Sequence, residues 1–285
     1  MLRPLEKRPP RTNGNRTGRK IAETSFRPSL VRPMKVAILQ PGYLPWLGFF
    51  EQMHRCDLFV VYDDVQYTKK DWRNRNYIKT RYGRMRLTVP VLTKGKYRQR
   101  IRDARIDHSQ NWKRKHLKNI RVWYEKAPYF HAYYDDLLNI YSRPRTFLID
   151  LDMDLILWLC KAIGLDREIV FSSSLNVGST DRQDRILEIC RRTKANLLYD
   201  GHSARNFIEP GRFDDAGVRV HFQDYHHPYY HQLWLKEQGF IPKLSTLDLL
   251  FNHGPASLAI LTGDMVVPGP DLPHGGGEIG TDPGT

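Results

Sequence analysis

The stretch that decides the fold is Met34-Lys-Val-Ala-Ile-Leu-Gln-Pro-Gly-Tyr-Leu-Pro-Trp-Leu-Gly-Phe-Phe50, followed by Asp57-Leu-Phe-Val-Val-Tyr-Asp-Asp-Val-Gln-Tyr67. The short apolar run from Val36 to Leu39 stops at Pro41-Gly42, which is typical of a buried strand that ends in a turn. Pro45 favours the first turn of a helix, because proline lacks the N–H group that would be unpaired there. A second apolar run follows from Leu58 to Tyr62. The sequence therefore predicts a β-α-β unit that opens an α/β domain with a Rossmann-like layered sheet.

The rest of the chain also reads as strands and helices. The predicted strands are 85–91, 169–171, 196–199 and 218–222, and the predicted helices are 111–125, 129–142, 146–163, 181–193, 203–207 and 245–251. Three of these helices follow one another between 111 and 164 with no strand between them. We therefore expect a single α/β domain over 34–256 with a mostly helical insertion at about 111–164.

The two ends of the chain differ from this domain in composition. Residues 1–33 are rich in Arg, Pro, Gly, Thr and Asn and contain few apolar side chains, so a disordered basic extension is predicted there. Residues 257–285 are dominated by Pro and Gly towards their end and are predicted to form a disordered tail.

The cysteines, the hydropathy and the histidine spacing indicate the cellular compartment and whether a metal is expected. Cys56, Cys160 and Cys190 are odd in number and far apart, with neither metal-ligand spacing nor a disulfide framework, which favours a reducing cytoplasm. No apolar run approaches the roughly 20 residues that span a bilayer, so no membrane insertion is expected. The histidines between 221 and 231 lack the repeated spacing of a zinc site, and we expect no metal.

The net charge of +14 is concentrated in one segment. Residues 69–124 hold nineteen Lys and Arg against three acids, and residues 1–33 hold nine against two. Charge placed in this way bears on binding partners rather than on fold. A nucleotide-sugar, another phosphorylated small molecule or an RNA backbone would each suit the segment. A solvated basic face without a ligand is the alternative.

Polar side chains follow the first two predicted strands where those strands end. Gln40 follows the first strand, and Asp63 and Asp64 follow the second. In open α/β sheets ligands bind at this edge, so we predict the active site there. Adjacent residues of an extended chain point to opposite sides, so the two aspartates are not expected to form a close carboxylate pair. One of them is predicted to act as a base or to orient an amine, and a turn role is the alternative.

Further candidates come from the basic segment and from later strand ends. His227 is a candidate acid or base, because a histidine titrates near neutral pH. Arginine forks and asparagine amides suit phosphate, and serines at a strand end can donate to it. The predicted phosphate-binding residues are Lys69, Arg73, Asn74, Arg75, Asn76, Lys79, Ser172 and Ser173.

Seven short strings occur in order along the chain and together resemble one family. They are Gln40-Pro-Gly-Tyr-Leu-Pro-Trp-Leu-Gly48, Asp63-Asp-Val-Gln-Tyr67, Asn74-Arg-Asn-Tyr-Ile-Lys79, Leu87-Thr-Val-Pro-Val91, Ser172-Ser-Ser-Leu175, His227-Pro-Tyr-Tyr-His-Gln232 and Leu244-Ser-Thr-Leu-Asp-Leu-Leu-Phe-Asn252. As an ordered set they resemble the WbqC-like family over essentially all of 34–256. These strings add Tyr43, Trp46, Gln66 and Gln232 to the candidate binding residues.

The resemblance implies a bacterial enzyme of O-antigen or other surface-polysaccharide biosynthesis. The implied reaction is transfer of an acyl or aminoacyl group to the amine of a nucleotide-linked amino sugar, by an N-acyl or aminoacyl transferase or ligase. The donor stays open between a thioester, an adenylate formed from ATP and an aminoacyl-tRNA.

Two other functions remain as alternatives. A strand, a Pro/Gly turn, a helix and a later serine-rich strand end loosely resemble nucleotidylyltransferases that use ATP, although the His-x-Gly-His motif of those enzymes is missing. A non-catalytic protein that binds RNA or a nucleotide through residues 69–124 is the second alternative. Neither a P-loop nor a G-x-G-x-x-G motif is present.

Overall fold

The structure is a computed structural model that describes residues 33–269. Its strands are β1 (Lys35–Leu39), β2 (Leu58–Val61), β3 (Arg75–Thr80), β4 (Gly83–Thr88), β5 (Glu168–Phe171), β6 (Leu197–Asp200) and β7 (Arg219–Phe222). The helices are α1 (Leu47–Arg55), α2 (Trp112–Tyr124), α3 (Phe130–Ser142), α4 (Leu148–Ile163), α5 (Arg182–Arg192), α6 (Pro210–Asp215), α7 (Leu235–Gln238), α8 (Thr246–His253) and α9 (Ser257–Thr262). No helix in this part of the chain is long and apolar enough to cross a membrane.

Five strands form a parallel sheet in the order β5-β2-β1-β6-β7. The chain builds the sheet outward from β1 to one side through β2 and β5, then returns to the other side of β1 for β6 and β7. Strand order therefore reverses between β1 and β6, as in doubly wound nucleotide-binding folds. The predicted α/β class and the β-α-β opening are confirmed.

The two faces of the sheet are covered by different helices. Side chains alternate along β1 and β2, so Ala37 and Phe59 pack into one core cluster while Val36 and Val60 pack into the other. The first cluster continues into α1, α4 and α8, and the second into α5 and α6. Burial on both faces explains why these strands read as continuous apolar runs.

The predicted helical insertion is present as α2, α3 and α4. Their bounds lie within two residues of the predicted ones. The last of these helices ends at Gly164, which has a φ of 79° in the left-handed region that favours glycine. The Leu165 N–H then donates to the Cys160 carbonyl at 2.9 Å and closes the helix end.

A hairpin of β3 and β4 replaces part of the predicted phosphate-binding segment. The predicted strand over 85–91 begins earlier, at Gly83, and pairs antiparallel with Arg75–Thr80. That second strand was not predicted, because charged and amide side chains interrupt its apolar positions. Its inward side chains Asn76 and Ile78 are nevertheless buried.

The C-terminal boundary at 256 is wrong. Helix α9 follows directly, and its Ser257, Ile260 and Leu261 are at most 1 % exposed. Gly254 and Pro255 lie in the 3₁₀ turn just before this helix, and Pro is tolerated there because it is in the first turn. The predicted disorder of 1–33 and 270–285 falls, except for Pro33, outside the described residues.

Candidate functional site

The carboxyl ends of β1, β2 and β5 lie side by side at one edge of the sheet. The Tyr62 N–H donates to the Leu39 carbonyl at 2.7 Å, which places Gln40 and Asp63 on neighbouring strand ends. Next to β2, Ser172 and Ser173 begin a short 3₁₀ turn directly after β5. The edge predicted from the strand ends is therefore formed by these residues.

Asp63 is held by the serines that follow β5. Its carboxylate accepts hydrogen bonds from the Ser173 N–H at 2.9 Å, the Ser173 hydroxyl at 2.7 Å and the Ser172 hydroxyl at 3.0 Å. The Asp63 N–H in turn donates to Ser172 Oγ at 3.2 Å. With 3 % exposure and these partners, the Asp63 side chain fixes the β2 and β5 ends to each other.

Asp64 does not point away from Asp63, which corrects the expectation from strand alternation. Ser172 Oγ lies 3.0 Å from Asp63 Oδ1 and 2.5 Å from Asp64 Oδ1, so both carboxylates meet at one hydroxyl. The physical reason is that β2 ends at Val61 and the chain bends at Asp64, where alternation no longer applies.

The environment of Asp64 keeps its carboxylate ionised. Arg185, from the first turns of α5, forms a salt bridge with Asp64 that is mostly shielded from solvent. Burial acts to raise the pKa of Asp64, but the hydrogen bonds from Ser172 and Arg185 and the Arg185 charge outweigh it and lower that pKa. Asp64 is therefore a fixed negative charge, better suited to orient a cation than to take up a proton.

Strand order reverses between β1 and β6. The ladder between these strands holds two residue pairs, Lys35 with Leu197 and Val36 with Leu198, whereas β1 and β2 pair over four residues. Asp200 ends β6 at this reversal and accepts from the Gly201 N–H at 2.7 Å. Burial raises the pKa of Asp200 to about 6, against a smaller opposing effect of that N–H and of the Arg182 charge.

The turn after β1 is joined to the base of the hairpin. Arg73 donates to the Gln40 side-chain oxygen and forms a 3.5 Å salt bridge with Asp71. The Tyr43 N–H donates to the Trp72 carbonyl at 3.2 Å. A Cβ added at Gly42 would lie 2.9 Å from that carbonyl oxygen, so the close approach of the two segments requires glycine.

Behind this turn lies a buried polar cluster that reaches α2, α3 and α4. The Tyr43 hydroxyl contacts His116 Nδ1 at 2.8 Å and also the Tyr141 hydroxyl. Asp152 is fully buried, and neither of its oxygens has a hydrogen-bond partner among the described residues. Burial raises the pKa of Asp152 well above its ordinary value, with the Arg73 charge opposing, so the environment favours the neutral carboxyl group.

His227 reaches the turn after β1 from the far end of the chain. Its ring lies parallel to that of Trp46, with centroids 6.5 Å apart, and is flanked by Tyr230 and Phe240. Nδ1 lies 3.0 Å from the Pro228 carbonyl, and Nε2 is buried without a partner among the described residues. Burial lowers the pKa of His227 to about 4, so the ring is neutral at pH 7.

The described contacts connect His227 to Trp46 rather than to Asp63 or Asp64. Within residues 33–269 no three His, Cys, Asp or Glu side chains are grouped so as to hold a metal ion.

Several predicted binding residues lie inside the protein instead of at the edge. Lys79 is fully buried, and its ammonium donates to the Gln232 side chain at 2.9 Å and to the Gly239 carbonyl at 2.6 Å. Asn74 donates to the Val89 carbonyl and Asn76 to the Leu44 carbonyl. In this conformation these four side chains support the hairpin through hydrogen bonds within the protein, and the Asn74 side-chain oxygen is buried without a partner among the described residues.

The remaining predicted binding residues lie towards solvent. Lys69 is exposed and Arg75 is half-buried, and no salt bridge joins Arg75 to another described residue. The amide nitrogen of Gln66 donates to the Tyr97 carbonyl at 3.0 Å. Arg75 is thus the predicted phosphate ligand whose guanidinium is best placed to accept a new anion.

Sequence reasoning missed Asp200, Arg182 and Arg185. The rule that identified Gln40 and Asp63 could also have identified Asp200, since it directly follows the predicted strand 196–199 and precedes a glycine. The two arginines lie one turn apart after the α5 cap, where the Asp181 side chain accepts from the Gln183 and Asp184 N–H groups. Asp64, the partner of Arg185, is 121 residues away from it, so sequence spacing alone did not link the two.

The fold and the strand-end residues define a class, namely an α/β protein with a doubly wound parallel sheet and a polar site at its carboxyl edge. Within that class the chain belongs to the WbqC-like protein family, whose model matches residues 40–260. An uncharacterised protein of Mycobacterium tuberculosis, Rv1507c, is 38 % identical over 222 residues, which cover 77 % of this chain and 94 % of the relative. No solved structure matches the chain.

Proposed function

We propose that this protein is a cytoplasmic enzyme of bacterial surface-polysaccharide biosynthesis. The proposed reaction transfers an acyl or aminoacyl group to the amine of a nucleotide-linked amino sugar. The observation that carries the proposal is the reversal of strand order between β1 and β6, because doubly wound folds bind nucleotides at this point. Gln40 follows β1 and Asp200 ends β6, so both lie at the carboxyl ends of the strands on either side of the reversal.

Two arginines near the turn after β1 suit the diphosphate of such a substrate. Arg73 lies at the turn after β1, and Arg75 follows it without a salt bridge of its own among the described residues. A guanidinium binds phosphate oxygens through paired N–H groups. In this proposal the diphosphate lies against these arginines and the amino sugar extends towards the strand-end carboxylates.

The carboxylates differ in what they can contribute to acyl transfer. The amine nitrogen attacks the acyl carbonyl, a C–N bond forms, the bond to the leaving group breaks, and one amine proton is lost. A base with a pKa near 6 is largely ionised at pH 7.5 and still takes up a proton, so Asp200 fits this role. Asp64, held ionised by Arg185, suits orientation of the neutral amine by accepting a hydrogen bond from one of its N–H groups. The neutral ring of His227 assists from the Trp46 side.

The test is a product assay by mass spectrometry. Purified protein is incubated with UDP-linked amino sugars and each of three donors: acyl thioesters, carboxylic acids with ATP, and aminoacyl-tRNA. The expected result is a mass gain on the amino sugar equal to one acyl group. No mass gain with any donor, together with no calorimetric binding of the UDP-sugars, would overturn the proposal.

A binding variant tests the diphosphate position separately. Arg75→Ala is expected to weaken UDP-sugar binding by about 1.5–3 kcal/mol, the range of a hydrogen bond to a charged group. Arg191→Ala is the control, because Arg191 is exposed on α5 and forms no salt bridge among the described residues. Equal binding by the two variants would show that Arg75 does not contact the diphosphate.

A further inference from the structure

The side of the β3–β4 hairpin opposite Asn76 and Ile78 carries aromatic and cationic side chains that reach solvent, and Lys79 on the same side is buried against Gln232 and Gly239. We call Trp72, Tyr77, Arg84 and Arg86 the hairpin face. Tyr77 is the cross-strand partner of Arg86, so both side chains project from the same side of the hairpin. The Arg84 guanidinium lies 5.2 Å from the centre of the Tyr77 ring, and the Trp72 ring lies 6.0 Å from it.

Three of the four residues of the hairpin face are exposed. Trp72 is 49 % exposed, Arg84 and Arg86 are exposed, and Tyr77 is half-buried. About half of the Trp72 side chain is therefore in water, which is costly for so large an apolar group. A planar ligand that stacks on this surface would remove it from water.

The cations around the hairpin face have few anionic partners. Of the nineteen Lys and Arg between 69 and 124, three form a salt bridge within residues 33–269, namely Arg73, Arg81 and Arg121. Arg84 and Arg86 are not among them. Cations that the protein leaves unpaired are available to the phosphates of a polyanion, and binding would release the counterions that now screen them.

The hairpin face also borders the candidate site. Arg75 lies two residues before Tyr77 and so on the same side of β3, at the end nearest the sheet edge. The Trp72 carbonyl accepts from the Tyr43 N–H at 3.2 Å, and Arg73 donates to Gln40. A ligand lying along the hairpin face would therefore end at the turn after β1.

We propose that the hairpin face binds single-stranded RNA, with bases stacked on Trp72 and Tyr77 and phosphates on Arg84 and Arg86. Aromatic platforms flanked by cations are the physical requirements for binding unpaired nucleotides. Arg84 and Arg86 lie two residues apart in β4, about 7 Å along the strand, with the Tyr77 and Trp72 rings beside them.

The second part of this inference rests on the proposed function. In it, the bound strand is the 3′ end of an aminoacyl-tRNA, and this aminoacyl-tRNA is the donor. The sugar amine attacks the carbonyl carbon of the aminoacyl ester, and a C–N bond forms. The bond between that carbon and the terminal ribose oxygen breaks, and the amine proton passes to the ribose oxygen. The products are an aminoacylated sugar and uncharged tRNA.

The binding test uses a fluorescently labelled 12-nucleotide single-stranded RNA and the full chain, read by anisotropy over a range of salt. Arg84→Ala with Arg86→Ala is expected to weaken binding about tenfold or more and to reduce the slope of log affinity against log salt by about 1.4, since each phosphate contact to a single strand contributes about 0.7. Trp72→Ala is expected to weaken binding about tenfold with an unchanged slope. Arg191→Ala with Arg219→Ala removes the same charge from exposed positions elsewhere and is the matched control.

Three outcomes would overturn the RNA-binding proposal. They are equal binding by the hairpin and control variants, equal or tighter binding of the same sequence as a duplex, and binding of phosphatidylserine vesicles in place of RNA. Circular dichroism of each variant verifies folding. Because the substituted side chains are exposed, the variants are expected to fold.

The donor assignment is tested by the product assay. If the protein transfers an aminoacyl group from aminoacyl-tRNA, and the Arg84 and Arg86 double variant does so more slowly, the result supports aminoacyl-tRNA as the donor. Transfer from a thioester or from ATP and an acid, but not from aminoacyl-tRNA, would overturn the donor while the proposed function stands. RNA binding without transfer from any donor would overturn the proposed function and leave the RNA surface in place.

Discussion

The strand ends on the two sides of β1 carry aspartates whose pKa values are shifted in opposite directions. After β2, Asp64 is held by Ser172 and by a salt bridge to Arg185, and its pKa is lowered. After β6, Asp200 accepts a hydrogen bond from the Gly201 N–H, and burial raises its pKa to about 6.

Enzymes can obtain an acid or base and a fixed charge from one residue type when two carboxyl groups lie in environments that separate their pKa values. In the proposed reaction, we expect Asp200 to transfer the proton and Asp64 to orient the amine. Four measurements can break or sharpen this division.

The largest effect is expected from Asp200→Asn. An amide has nearly the same shape but cannot take up the amine proton, so the rate of acyl transfer should fall about 10²- to 10⁴-fold, the usual contribution of a general base. Asp215→Asn, at the exposed last residue of α6, is the control. Equal rates for the two variants would remove Asp200 from the mechanism.

Arg185→Ala is expected to lower the free energy of unfolding by about 3 kcal/mol, because it leaves Asp64 as a largely buried charge without its partner. Urea denaturation measures the change, with the exposed Arg191→Ala as control. The Asp64 pKa is lowered by folding, so the stability that it contributes is present above about pH 4 and is lost as the pH falls. The difference between wild type and variant should therefore shrink in acid, and a constant difference would contradict the assignment.

The raised pKa of Asp200 predicts the opposite pH dependence. The folded protein binds a proton at Asp200 more readily than the unfolded chain does, so this group's contribution to stability falls as the pH rises from about 4 to about 6. Asp200→Asn removes this loss. Relative to wild type, the variant should gain about 2–3 kcal/mol between those pH values, the equivalent of a two-unit shift. Stability curves of the wild type and the variant that run parallel between about pH 4 and about pH 6 would contradict the raised pKa of Asp200.

The smallest effect is expected from Ser172→Ala, which removes the hydroxyl shared by Asp63 and Asp64. A loss of about 1–2 kcal/mol in the free energy of unfolding is expected, because two carboxylates lose a buried donor. Ser174→Ala in the same turn is the control, since its exposed hydroxyl bonds only the Phe171 carbonyl. A smaller loss for Ser172 than for Ser174 would show that the shared hydroxyl does not fix the edge.

The sheet was largely predictable from sequence, because strands buried on both faces are apolar throughout and end at turn residues. Val36–Leu39 and Leu58–Tyr62 show this pattern, and both strands lie within one residue of the prediction. Strand β3 was not predictable in the same way. Its buried positions include Asn76 and Lys79, whose polar groups are satisfied by distant partners that local pattern does not reveal.

The site was predictable where it depends on strand ends and unpredictable where it depends on side-chain direction. Gln40 and Asp63 lie at neighbouring strand ends as expected. The meeting of Asp63 and Asp64 at Ser172 depends on a bend just after β2, and the period of a strand gives no information beyond its last residue. Asp200 directly follows a predicted strand, so the same strand-end argument also applies to it.

The central position of β1 also has a consequence for how the protein is made. Its neighbour β6 begins at Leu197, 162 residues after Lys35, and the helices α2 to α4 are synthesised in between. At about 5–20 residues per second, a ribosome takes roughly 8 to 32 s to supply the missing strand. During that interval one side of β1 has no partner, and an open strand edge of this kind attracts other chains. Helical segments made of local contacts fold within that time, so the nascent chain is expected to hold a formed helical region beside an unfinished sheet that depends on chaperones until β6 emerges.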